Sequence, residues 1–162
     1  MTHSRILIIG YGSTLRSDDG VGYLIAESLM DLFDARSPGS DLNSPVPEVF
    51  ARQQLTPDLA DNLSRVDRVI FVDACADATP GEVKVRDVVP KGEKWGAFAH
   101  EMAPDVLLDC VKECYGKVPA AQLITIGGEC FHIGEGLSAP VKAAMPLVIE
   151  RVLSMCAGQS FA

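Results

Sequence analysis

Residues 68–75 read "RVIFVDAC", the strongest buried-strand signal in the chain. Val69, Ile70, Phe71 and Val72 form an unbroken apolar run with no polar alternation, the pattern of a strand covered on both faces. Asp73 follows at once, so a carboxylate stands at the end of that strand. Whatever surrounds this segment has to cover two faces, and the flanking sequence supplies the elements to do it.

Upstream, "TPDLADNL" (56–63) opens a short helix, with Thr56 as cap, Pro57 at the first helical position and Asp58 in the first turn. "EVFARQ" (48–53) reads as a strand, and "RSPGSDLNSPVP" (36–47) as a surface loop rich in turn formers. Val21, Leu24, Ile25, Leu29, Leu32 and Phe33 recur at helical spacing, with Asp18 and Asp19 expected as N-terminal caps. "RILIIG" (5–10) is another doubly buried strand, joined to that helix by the loop "YGSTLRSDDG" (11–20).

Downstream, "GEVKVRDVV" (81–89) alternates as a half-exposed strand should, while "APDVLLDCVKECYG" (103–116) is helical and stops at Gly116. Leu107, Cys110, Val111 and Cys114 make its apolar stripe. "AQLITIGG" (121–128) is a last buried strand. Val141, Ala144, Met145, Val148, Ile149, Val152 and Leu153 close the chain at helical spacing, with Pro146 predicting a kink or a helix start nearby. Strands alternating with helices predict a three-layer α/β/α sandwich around a mainly parallel, twisted sheet of about five strands, with any site beyond the strands' carboxyl ends.

The 162 residues suit a single domain spanning 1–162, which at this size buries about 70% of the surface its unfolded chain exposes. A 48% hydrophobic and 22% charged composition excludes disorder, and a net charge of −8 argues against nucleic acid as partner. No apolar run reaches the roughly 20 residues that span a bilayer, and no export signal is read at Met1. Five cysteines without a C-x-x-C pair support neither a disulfide framework nor a thiolate zinc site, so a reducing cytoplasm is expected.

The chemistry-bearing candidates are carboxylates and one imidazole. Asp18 and Asp19 follow the first strand, Asp73 ends the central one, and three carboxylates are expected to gather at one sheet edge. His100 precedes the helix at 104. Taken singly, each has an ordinary explanation: helix caps, a strand-end hydrogen bond, a solvated loop histidine. Two carboxylates with one imidazole and open positions also suit a borderline divalent ion such as Ni²⁺ or Zn²⁺ and metal-assisted hydrolysis. "GYGSTLRSDDG" lacks the third glycine of a dinucleotide fingerprint. Cys110 and Cys114 read as core residues, and His3 and His132 as solvent-facing.

Five blocks, "ILIIGYGSTLRSDDGVG", "QQLTPDLADNL", "VIFVDA", "HEMAPDVLLDCVKECYG" and "ITIGGECFHIGEGLS", resemble in order those of the [NiFe]-hydrogenase maturation endopeptidases, and most nearly the branch serving soluble bidirectional hydrogenases. The resemblance implies a cytoplasmic, monomeric peptidase of aspartic or metal type. It implies cleavage of a C-terminal extension from the nickel-loaded large-subunit precursor. Asp19, Asp73 and His100 would recognise the nickel, which arrives in the precursor, and no permanently bound cofactor is expected. Two rivals stand beside it: a different metal-dependent hydrolase on the same fold, and a non-catalytic binding module that checks nickel loading. Against the family pattern, Ser13 replaces the commoner asparagine, Ser17 a common glycine and Ala103 a capping residue.

Overall fold

The computed structural model describes residues 4–36, 45–94 and 102–158. Strand β1 (Ile6–Tyr11) leads through a 3₁₀ turn at Ser17–Gly20 into helix α1 (Val21–Asp34). There follow β2 (Glu48–Arg52), α2 (Leu59–Ser64), β3 (Arg68–Cys75) and β4 (Val83–Val88). Helix α3 (Pro104–Tyr115), β5 (Ala120–Gly127) and α4 (Ala139–Cys156) complete the order.

The strands form one five-stranded sheet in the order β2-β1-β3-β5-β4. Four run parallel, and β4 alone pairs antiparallel, along β5 at the edge. Period-two alternation distributes the side chains. Leu7, Ile9, Val69, Phe71 and Leu123 join α2 and α3 in one core cluster, while Ile8, Ile70, Val72, Ile124 and Ile126 join α1 and α4 in the other. The sandwich is therefore three-layered, as the apolar strands at 5–10 and 68–75 require.

Local details depart from expectation. The 56–63 helix starts at Leu59, because Thr56 and Pro57 form i→i+3 turns to Leu59 and Ala60 instead of a capped α-turn. Leu32 is 46% exposed and Cys114 is also exposed, so both fall off the apolar stripes assigned to them, whereas Cys110 is buried. Cys114 lies in the last turn of α3, where residues 112–116 are all exposed. Helix α4 begins at Ala139 and carries Pro146 in its interior. The N-cap of helix α3, Ala103, makes no side-chain cap and is in an extended conformation that a serine would share. Among the described residues no helix is long and apolar enough to cross a membrane.

One topological consequence locates the site. From β1 the chain passes to β2 on one side and then, through α2, to β3 on the other. The order thus reverses between β1 and β3, and a crevice opens at their carboxyl ends, where open α/β sheets bind ligands.

Candidate active site

Tyr11 and Asp73 stand at that reversal. The parallel register pairs Gly10 with Val72, so the next step sets Tyr11 beside Asp73, with both side chains on the face of Ile9 and Phe71. Both are partly buried. Burial pushes the Asp73 carboxyl up to about 7; hydrogen bonds from the Tyr11 hydroxyl and the Ala74 amide (2.8 Å) oppose the shift, and the charge of Asp19 adds to it. The Tyr11 phenol is pushed well above its ordinary value, first by burial and then by Asp73 itself. Asp105, in the first turn of α3, acts on Tyr11 in the same direction, which places that helix start within electrostatic reach of the crevice.

Asp19 reaches the site from the loop after β1. Its Oδ2 accepts from the Ser13 amide at 2.8 Å, and its own amide donates to the Arg16 carbonyl at 3.2 Å, so the loop is wound around the carboxylate. The winding is tight. Gly12 has φ +138°, and a Cβ there would collide with the Asp19 carbonyl oxygen. Gly22 likewise lies against the Val72 carbonyl oxygen, with no room for a side chain, which seats α1 directly on the ends of β1 and β3. These glycines thus serve close contact between backbone segments.

Asp18 does something else. Neither it nor Asp19 caps α1, whose N-cap position is Gly20 and whose start carries no side-chain cap. Asp18 is fully buried, and its carboxylate accepts from the amides of Glu129 (2.8 Å), Cys130 (3.0 Å) and Ser138 (2.7 Å) and from the Ser138 hydroxyl (2.8 Å). Burial alone would raise its pKa; the four hydrogen bonds outweigh burial and hold the carboxyl below its ordinary value. The sheet edge therefore gathers Asp19 and Asp73, while Asp18 faces away and fastens the loop after β5. Sequence reasoning missed this fastening. The adjacent acids gave no sign of it, since all four of its donors are backbone or hydroxyl groups more than 110 residues away.

Ser17 occupies the left-handed region at φ 52°, which explains why glycine suits this position. Its hydroxyl donates to the His132 carbonyl at 2.9 Å, and its amide to the Gly134 carbonyl at 2.9 Å. His132 is exposed, as expected. His100 and His3 lie outside the described residues. Among the described residues no three His, Cys, Asp or Glu side chains converge as a metal site.

Chemically, the crevice presents one carboxylate whose proton exchanges near neutral pH beside a second one that repels its charge. Such a pair favours either a shared proton or an incoming cation. A group with a pKa close to the working pH is also suited to move protons in hydrolysis.

No protein-family model matches the sequence, and none of the curated proteins does. Solved structures do match. The chain superposes on the [NiFe] hydrogenase maturation protease HycI from Thermococcus kodakarensis KOD1 with a TM-score of 0.69 and 23% identity, over 95% of this chain and 93% of that one. The hydrogenase maturating endopeptidase HybD from E. coli gives 0.66 and 22%, again over 95% and 93%. A hydrogenase 2 maturation peptidase from a Thaumarchaeota archaeon gives 0.64 and 22%, over 96% and 99%. At these identities the likeness is one of fold.

Proposed function

We propose that the chain is a cytoplasmic endopeptidase that removes a C-terminal extension from the nickel-loaded precursor of a [NiFe]-hydrogenase large subunit. The observation that carries the reading is the meeting of Asp73 and Asp19 at the switch point between β1 and β3. There, burial and mutual repulsion leave Asp73 near neutrality, an arrangement that an incoming divalent cation relieves. The end-to-end likeness in fold to hydrogenase maturation proteases supports it, as do the sequence blocks that surround both aspartates.

In this reading nickel belongs to the substrate. Asp19 and Asp73, joined by His100, contact the ion already seated in the precursor, and the scissile peptide is brought to the crevice by that contact. Amide hydrolysis needs a stabilised oxyanion, and nickel polarising the peptide carbonyl would supply it. In the same reading, Asp73 takes a proton from the attacking water and passes it to the leaving amine. The proposed branch of substrates is the soluble bidirectional hydrogenases, whose maturation peptidases the five sequence blocks together most resemble.

The test is intact-mass analysis of nickel-loaded and nickel-free precursor after incubation with the unaltered chain and with Asp19→Ala, Asp73→Ala and His100→Ala. Loss of one C-terminal peptide, only with nickel and only with all three residues, is the expected result. Nickel-independent cleavage would point to a different hydrolase, and nickel-dependent binding without cleavage to a checkpoint module.

A further inference from the structure

The loop that carries Asp19 is joined to the loop after β5 by a short two-stranded ribbon. Arg16 and Gly134 form a parallel bridge, in which the Gly134 amide donates to the Leu15 carbonyl (2.9 Å) and the Ser17 amide to the Gly134 carbonyl (2.9 Å). Around it, the Ser17 hydroxyl holds the His132 carbonyl (2.9 Å), the Asp18 amide holds the Cys130 carbonyl (3.0 Å), and the buried Asp18 carboxylate takes its four donors. This is a stiff platform built from two loops.

Two large apolar side chains stand out on the platform, beside the exposed Arg16 and His132. Leu15 is 61% exposed and Ile133 is 92% exposed, the highest exposure of any large apolar side chain among the described residues. They occupy the register step before the bridged pair, which in a parallel ribbon makes them neighbours across it. Neither belongs to a core cluster. An isolated exposed leucine or isoleucine calls for no explanation. Two set side by side on backbone held by this many hydrogen bonds are different, since ordering them in advance removes much of the entropy cost of binding. Asp19 lies within the same loop, one turn from Arg16 through its amide bond to the Arg16 carbonyl.

We infer that Leu15 and Ile133 are specificity-determining residues that seat an apolar side chain of the polypeptide substrate beside the Asp19–Asp73 crevice. The inference rests on the peptidase reading, because Leu15 belongs to the loop wound around Asp19 and a polypeptide is what would bridge ribbon and crevice. The ribbon grips the substrate protein, and the aspartates act on the neighbouring segment. Binding through the ribbon is uniform between ground and transition states, so its loss raises KM and leaves kcat alone.

The experiment uses Leu15→Ser, Ile133→Ser and the double variant, whose exposed positions leave folding intact, as circular dichroism and thermal unfolding verify. Affinity is measured by calorimetry with nickel-free precursor, which the peptidase reading leaves uncleaved, and KM and kcat with the nickel-loaded form, Asp73 being retained throughout. The expected result is at least ten-fold weaker binding and a matching rise in KM for the double variant, with kcat unchanged. Affinity and KM within two-fold of the unaltered ribbon would overturn the inference. Tight, ribbon-dependent binding without cleavage by the chain that retains Asp73 would uphold it and remove the peptidase reading instead.

Discussion

The carboxylate of Asp18 and the residue that precedes α4, Ser138, are 120 positions apart in sequence and doubly hydrogen-bonded, at 2.7 Å through the amide and 2.8 Å through the hydroxyl. Two further amides, of Glu129 and Cys130, complete the set. Removing the carboxylate leaves buried donors unsatisfied, so Asp18→Ala is expected to cost about 3 kcal/mol of stability, and Ser138→Ala about 1 kcal/mol. Urea denaturation checks both.

The same group sets an acid limit. Its folded pKa lies below the ordinary carboxylate value, so its contribution is complete above that ordinary value and is lost as pH falls through the folded one. Stability measured from pH 6 down to pH 3 is expected to fall more steeply in the unaltered chain than in Asp18→Asn, which has no proton to gain.

Asp73 carries the opposite sign. Its folded pKa is raised to about 7, so the folded state favours the neutral acid and stability declines as pH rises from about 4 to about 7. Asp73→Asn is expected to gain on the order of 1–3 kcal/mol at pH 8 and nothing near pH 4, while losing cleavage altogether. Thermal unfolding at the two pH values, together with the precursor assay, tests both halves.

Tyr11→Phe retains the ring packed against the α2–α3 cluster and removes only the hydroxyl that bonds Asp73. Without that bond the Asp73 pKa moves further up. The acid limb of the pH–rate profile is expected to move to higher pH, with stability changed by less than about 1 kcal/mol.

At Ser17 two effects oppose each other: the left-handed backbone favours glycine by about 1 kcal/mol, and the hydroxyl bond to His132 favours serine by about the same. Ser17→Gly is expected within about 0.5 kcal/mol of the unaltered chain. Ser17→Ala, which keeps the strain and loses the bond, should fall about 1 kcal/mol below it. Denaturation midpoints of the three proteins decide this.

How much of this was legible in the residues differs from element to element. Apolar runs such as Val69 to Val72, and the helical recurrence from Val21 to Phe33, follow from how side chains divide between core and water along a backbone of known period. They yielded the α/β/α sandwich and a site beyond the strand ends. Asp19 and Asp73 were identifiable as candidates because each follows a buried strand. The pairing of Asp73 with Tyr11 was not, although both occupy the step after a buried strand run, because parallel register depends on how β1 and β3 align.

The sequence by itself thus determined the layers, the approximate strands and helices, and a set of acidic candidates beside the buried strands, since all of these rest on local pattern. Only the tertiary structure decided that Asp18 is a buried fastener, that β4 runs antiparallel, that Cys114 is exposed, and that Leu15 and Ile133 share a ribbon. The physical reason is the same in each case. A hydrogen bond or a strand pairing is satisfied by whichever groups the completed topology brings within about 3 Å, and residues 110 positions apart leave no trace of that in their spacing.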